Sequence, residues 1–139
     1  MSTRRQAREA ALQMLYQIEM SGSGLPEITE EFWSGQKIDD AKSRAFVEQL
    51  VKGVLKEKEA IDECIAKHAT HWKLGRMPVV DKNVLRLAVF ELKESSEIPL
   101  KVILNEAIEV AKKFGAEESS TFINGVLDKV AKELRKEEA

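Results

Sequence analysis

Arg4, Arg5 and Arg8 are the side chains best placed to do chemistry, and that chemistry is anion recognition. On a helix they stand one turn apart or less and form a compact cationic patch of permanently charged, planar forks that match a phosphate. Cys64, His68 and His71 are the only grouping that hints at a metal. Their spacing places all three on one side of a helix, yet Cys64 and His71 are then separated by roughly 10 Å of axial rise. Zinc requires every ligand at about 2.0–2.3 Å, and structural sites use four ligands. The spacing therefore predicts a small core cysteine, two histidines near a helix C-terminus where free carbonyls await them, and no metal.

No nucleophile is spaced to meet a base, and neither common glycine-rich phosphate loop occurs. The carboxylates are scattered as solvated helix-surface charge. No catalytic residue and no cofactor is expected. Asn105 and the pair Asn124-Gly125 stand out because Asn-Gly normally marks a turn and here falls inside a helical pattern. Close helix packing accounts for Gly125, as for Gly53, with Asn124 bonding a neighbour. Phe122, near the start of the same helix, is either core or a ring beside an anion-seeking helix end, able to stack an unpaired base.

The elements that must position these residues follow from apolar periodicity. Ser2 to Met20 reads as a helix whose Ala7, Ala10, Ala11, Met14, Leu15 and Ile18 share one face, with a second stripe of Leu12, Tyr16 and Met20. Two stripes mean either burial on both sides or a docking face for another chain. Residues 21–26 stop this helix, and a short one over Glu27 to Ser34 carries Ile28, Phe32 and Trp33 up to Gly35. Asp39 or Asp40 caps the next, with Phe46, Val47, Leu50, Val51, Val54 and Leu55 on one side. The charged run 56–59 shifts the phase before Ile61, Ile65 and His68 or Ala69, so a bend or a new helix is expected. Trp72, Leu74 and Met77 form a connector around Gly75 that ends at Pro78.

Asp81 reads as the N-cap of a helix carrying Val84, Leu85, Ala88, Val89 and Leu92. Pro99 suits a first helical position, and the helix it starts is apolar from Leu100 to Phe114 over a broad arc, ending at Gly115 as a C′ residue. Ser119 or Ser120 caps the last helix, lined by Ile123, Val126, Leu127, Val130 and Leu134. No strand alternation occurs. The expectation is an all-α domain over 1–139 of six or seven helices in two groups, 1–55 and 56–139, sharing one core.

With 22 Lys and Arg against 24 Asp and Glu, the net charge of −2 excludes a bulk polycation, so nucleic-acid binding must come from local clustering. The single cysteine excludes an internal disulfide, and no apolar run approaches the roughly 20 residues of a membrane span. A cytosolic protein is expected.

Arg4-Arg5-Gln6-Ala7-Arg8-Glu9-Ala10 with Leu15-Tyr16-Gln17, then Leu85-Arg86-Leu87-Ala88 with Glu91-Leu92, then Asn105-Glu106-Ala107 and Phe122-Ile123-Asn124-Gly125-Val126-Leu127-Asp128, together resemble the bacterial NusB family. The match spans nearly the whole chain, and the last block is the most specific; residues 21–40 carry no family signal. The resemblance implies two small helical bundles and a non-enzymatic role in transcription antitermination. It implies binding to the boxA element of nascent RNA together with NusE, a small-subunit ribosomal protein, and joining NusA, NusG and RNA polymerase. Carried over, RNA contact falls on Arg4, Arg5 and Arg8, with Lys101 and Phe122 near the same surface. NusE docking falls on Tyr16, Met20 and the helix beginning near Asp81.

Three neutralised phosphates give a log–log salt slope near about −2 on single-stranded RNA, and Arg8→Ala is expected to weaken RNA binding without altering the fold. Two other functions compete. NusB-like domains also precede ribosomal-RNA methyltransferase domains, but a chain ending at Ala139 is expected to leave no room for a cofactor-binding α/β unit. The other is a protein-binding helical adaptor whose arginines are only a solvated face. A homodimer that hides the RNA face is a further expectation from the family.

Overall fold

The computed structural model describes residues 4–22, 25–36, 38, 40–70 and 73–138, with residues 25–29 described in backbone only. The readings placed on Ser2, Asp39, His71, Trp72 and the Ile28 side chain lie outside the described residues. Among the described residues seven α-helices follow in order: α1 Arg4–Ser21, α2 Leu25–Ser34, α3 Ala41–Lys56, α4 Lys58–His68, α5 Val79–Glu94, α6 Leu100–Phe114 and α7 Ser119–Leu134, with a 3-10 turn at Leu74–Arg76 before α5. No strand occurs among the described residues, as the missing alternation predicts. Nor is any described helix long and apolar enough to cross a membrane.

The helices surround α5, which packs against α1, α3, α4, α6 and α7. Its residues from Asn83 to Leu92 are all buried, polar ones included. A helix enclosed on every side has no wet face, so the stripe Val84, Leu85, Ala88, Val89 and Leu92 captures only part of its burial. α1 lies against α2, α3, α5 and α6, while α7 lies against α4, α5 and α6. Met14, Leu50, Ile61, Leu85, Ile103 and Leu127, one from each of α1, α3, α4, α5, α6 and α7, belong to one continuous hydrophobic cluster. The two groups of helices therefore share a core.

Helix ends show where local chemistry was legible. Asp40 caps α3, its carboxylate accepting from the Ser43 N–H at 3.0 Å. Glu57 separates α3 from α4, as the charged run predicts. Gly22 ends α1 in the left-handed region at φ 72°, which glycine adopts without a Cβ clash. Other ends differ from expectation. α5 starts at Val79 behind Pro78, so Asp81 sits inside the first turn and is not the cap. Pro99 occupies the cap position of α6 and not its first turn. Gly115 ends α6 with extended backbone, not left-handed; its small size matters because a Cβ would come within 2.7 Å of Ser119 Oγ. Neither serine caps α7, since Glu118 holds that position. Ser119 Oγ instead accepts from the Ala116 N–H and donates to Asp81 at 2.7 Å.

The two mid-helix glycines part company. At Gly53 a Cβ would lie 2.2 Å from the Phe90 ring tip, so α3 and α5 meet there by omission of a side chain. Around Gly125 nothing lies within 4 Å of a Cβ and the residue is exposed, so the close-packing reading fails at that position. Gly53→Ala gains up to about 1 kcal/mol of helix propensity. It must also displace a buried ring that rotation about its own axis cannot move aside, an overpacking cost of typically 1–3 kcal/mol. A net loss of about 1–2 kcal/mol is expected in urea unfolding, and Phe90→Leu in the same chain should recover part of it.

Candidate nucleic-acid interface

α1 presents its first two turns between α3 on one side and α5 and α6 on the other, and each arginine meets a different neighbour. Arg4 is exposed and its guanidinium lies over the Phe46 ring of α3, 4.5 Å from the centroid. Arg5 is half-exposed and grips the Glu106 carboxylate of α6 through Nε at 3.1 Å and Nη2 at 2.6 Å. That hydrogen bond and charge push the Arg5 guanidinium further up, so its cation is permanent. Arg8 points inward. Its side chain is 5% exposed and forms a bidentate pair with Glu91 of α5, itself 2% exposed, at 2.9 and 2.8 Å. Its Nη1 lies 3.6 Å from Glu106, and its guanidinium sits 5.9 Å from the centre of the same Phe46 ring.

The expected exposed patch of three arginines is thus an exposed pair, Arg4 and Arg5, standing on a buried Arg8. An ion pair seals Arg8 because leaving its charge unpaired among Val84, Leu87 and Ile103 would be costly. Spacing on α1 could not reveal this, since Glu91 is 83 residues away in the chain. The positioning residues that sequence reasoning missed are Phe46, Glu91 and Glu106. Glu91 and Glu106 lie within the blocks quoted for the family resemblance, but nothing in those blocks says what they hold.

Lys101 is exposed on α6, about one and a half turns before Glu106. Phe122 is half-buried in the first turn of α7, on a groove that includes His68, Ala69, Thr121, Gly125 and Lys129. That groove lies between α7 and the end of α4, whereas the arginines stand where α1 meets α3 and α6. The structure brings Arg5 and Arg8 to Glu106, sets Arg4 over Phe46, and places Phe122 on a different helix pair.

The second stripe of α1 is also divided. Leu12 is 2% exposed, while Tyr16 and Met20 are 41% and 61% exposed. Glu19, beside them, ties this end of α1 to α5 through Lys82 at 2.7 Å, Asn83 at 3.3 Å and Arg86 at 3.0 Å, and Arg86 in turn holds Asp62 of α4. Burial pushes the Glu19 carboxyl up, but hydrogen bonds from Lys82 and Asn83 and the charges of Lys82 and Arg86 outweigh it and hold it below the usual range. With Glu19 anchored, Tyr16 and Met20 remain on the outer face. Asp81 is not available to a partner there: it is 5% exposed and its carboxylate accepts from Ser119 of α7.

The model of the NusB family matches residues 5–132. The transcription antitermination protein NusB of Sorangium cellulosum (strain So ce56) is 47% identical over 134 residues, covering 96% of this chain and 95% of that protein. Among solved structures, NusB of T. maritima superposes with a TM-score of 0.87 at 38% identity, over 95% of this chain and 92% of that one. A chain in the crystal structure of antitermination factors NusB and NusE in complex with dsRNA superposes at 0.85 with 28% identity, covering 94% and 96%. The seven-helix arrangement around α5, the arginine-bearing start of α1 and these likenesses over almost the full length agree, and the chain belongs to the NusB family.

Proposed function

We propose that this protein is a non-enzymatic transcription antitermination factor that binds boxA single-stranded RNA together with NusE. In this reading it acts in the cytoplasm, joins NusA, NusG and RNA polymerase, and supports ribosomal-RNA transcription. The observation that carries the proposal is the pair Arg4 and Arg5, exposed at the start of α1 in a chain that matches the NusB family from residue 5 onward. Arg5 uses Nε and Nη2 on Glu106, and the remaining edge of its guanidinium is the natural seat for a phosphate. Arg4 rests on Phe46, which fixes the plane of a group suited to stacking on an unpaired base. Lys101 and Phe122 extend the RNA contact in this reading, and Tyr16 with Met20 supplies the NusE face. Two arginines and Lys101 are again three cations, so the salt slope stays near about −2.

Fluorescence anisotropy of a labelled boxA RNA, titrated with this protein alone and with NusE, tests the proposal beside a scrambled single strand and a duplex of equal length. Preference for boxA strengthened by NusE supports it. Equal weak binding to all three RNAs with no effect of NusE replaces it by the protein-adaptor function. Within the same assay Arg5→Ala is expected to weaken boxA binding about tenfold, the worth of one charge-assisted hydrogen bond, and to leave the melting temperature nearly unchanged because Arg5 is half-exposed and Glu106 keeps Arg8 as a second cationic neighbour. Glu106→Gln removes the carboxylate that competes with phosphate for Arg5 and is expected to tighten binding about threefold. Weaker binding by Glu106→Gln, in a chain that melts normally, would show that Glu106 orients Arg5 for RNA and does not compete with it.

A further inference from the structure

Cys64, His68 and Glu133 bring a thiol, an imidazole and a carboxylate together where the end of α4 meets the end of α7. Cys64 and His68 are four residues apart on α4 and share a face, and Glu133 reaches them from the last turn of α7. One donor atom from each, Sγ, a ring nitrogen and a carboxylate oxygen, lie within 4.8 Å of one another. Tetrahedral zinc, with bonds of about 2.0–2.3 Å, holds its ligand atoms roughly 3.3–3.8 Å apart. The approach still needed is about an ångström, within reach of a side-chain rotamer adjustment. Thiolate and imidazole select zinc-class metals, whereas magnesium and calcium take oxygen ligands.

We propose that Cys64, His68 and Glu133 form a binding site for a zinc-class divalent cation, with solvent in the fourth position. None of the three is sealed off: the His68 side chain is 16% exposed, Glu133 is 39% exposed and Cys64 is half-buried, so an ion can enter from water. Glu133 already reaches His68, with one oxygen on His68 Nε2 at 2.5 Å, while its other oxygen sits on Lys67 Nζ at 2.8 Å. The ion takes the place of the His68–Glu133 hydrogen bond and binds both groups: the His68 Nε2 proton passes to Nδ1 through solvent so that Nε2 can bind the ion, and Cys64 gives up its thiol proton to solvent as the sulfur–metal bond forms. Burial and the Glu133 charge push that thiol up, and a bound cation opposes both. Lys67 is the competitor, because it holds the same carboxylate. Once bound, the ion ties α4 to α7 beside the groove that contains His68 and Phe122.

Titration of the reduced, metal-free, full-length protein with Co2+, a spectroscopic stand-in for zinc, reads the site directly. A one-to-one rise of a near-ultraviolet thiolate-to-cobalt charge-transfer band is expected, with the strong visible absorption of four-coordinate cobalt, and Zn2+ should reverse it. Cys64→Ser abolishes the charge-transfer band, and His68→Gln and Glu133→Gln each weaken Co2+ binding about tenfold or more, with circular dichroism confirming the helical fold of each variant. Lys67→Gln, at a largely exposed position, is expected to tighten binding about threefold by freeing Glu133, a gain that misfolding cannot produce. Absence of the charge-transfer band at a few equivalents of Co2+, its persistence in Cys64→Ser, or weaker binding by Lys67→Gln would each overturn the assignment.

Discussion

Glu91→Ala should lower the unfolding free energy by about 3–5 kcal/mol, the usual consequence of removing one member of a buried ion pair. Glu91 is 2% exposed and accepts two hydrogen bonds from Arg8, which is 5% exposed. Without Glu91 a guanidinium is left among apolar side chains of α5 and α6, with Glu106, 3.6 Å away, and the Phe46 ring as partial compensation. Those residual partners place the loss toward the lower end of the range. At roughly 3 °C per kcal/mol for a chain of this size, the melting temperature falls by about 10 °C. Arg8→Ala reverses the fault by orphaning Glu91, with a loss of similar size. The expectation that Arg8→Ala spares the fold therefore does not survive the structure, and weaker RNA binding by this variant would not by itself place Arg8 on the RNA. The double variant Arg8→Met, Glu91→Leu separates the contributions, since apolar replacement of both partners removes the orphaned charge and should recover much of the loss. A melting temperature of Glu91→Ala within about 2 °C of wild type would show that the pair is hydrated and that the inward position of Arg8 contributes little.

Arg135→Ala is the other substitution with a large expected effect, about 3 kcal/mol in urea unfolding. Arg135 follows α7 and is buried, its guanidinium donating to the carbonyls of Leu92 at 2.8 Å, Ser95 at 3.0 Å, Ile98 at 3.1 Å and Glu91 at 3.4 Å. These belong to the end of α5 and the turn before α6; the Glu91 and Ser95 carbonyls also accept from the backbone N–H groups of Ser95 and Ile98, and the guanidinium adds a second donor to each. One side chain thus terminates α5 and fixes the entry to α6. It also bonds Glu138, whose other oxygen accepts from the Leu100 N–H at 2.9 Å. The Leu100 N–H and Arg135 hold the Glu138 carboxyl below the usual carboxylate range. Because its folded pKa is depressed, Glu138 supports this corner above the ordinary carboxylate pKa and loses that role as the pH falls through the lowered value. Truncation at Arg135 removes a donor from four carbonyls at once, and water entering the corner recovers part of the loss. Arg135→Lys should restore little, because one ammonium cannot span the four acceptors as a planar fork does. Amide hydrogen exchange in Arg135→Ala should accelerate first over residues 92–100; uniform acceleration across the chain would mean that the corner has no local stability of its own.

What the sequence determined by itself was whatever a single helix expresses along its own length. α1, α3, α6 and α7 each keep a wet face, so the three-and-four spacing of Ala7, Val47, Ile103, Ile123 and their neighbours reports their extent and buried side directly. The Asp40 cap and the break near Glu57 are likewise local, settled within four residues of chain. The blocks around Arg4, Glu91, Asn105 and Phe122 were enough to draw the family resemblance. Tertiary structure decided where polar groups point, because each partner lies on another helix. Arg8 faces Glu91 and not solvent, Asp81 faces Ser119 and not a docking surface, and Leu12 is buried while Tyr16, one turn on in the same stripe, is not. Gly53 and Gly125 read alike in sequence and differ only because Phe90 stands opposite one of them. Cys64 and His68 found their third group in Glu133, 65 residues beyond His68. Periodicity records which face of a helix avoids water, whereas charge pairing and ligand geometry depend on which helices the core brings side by side.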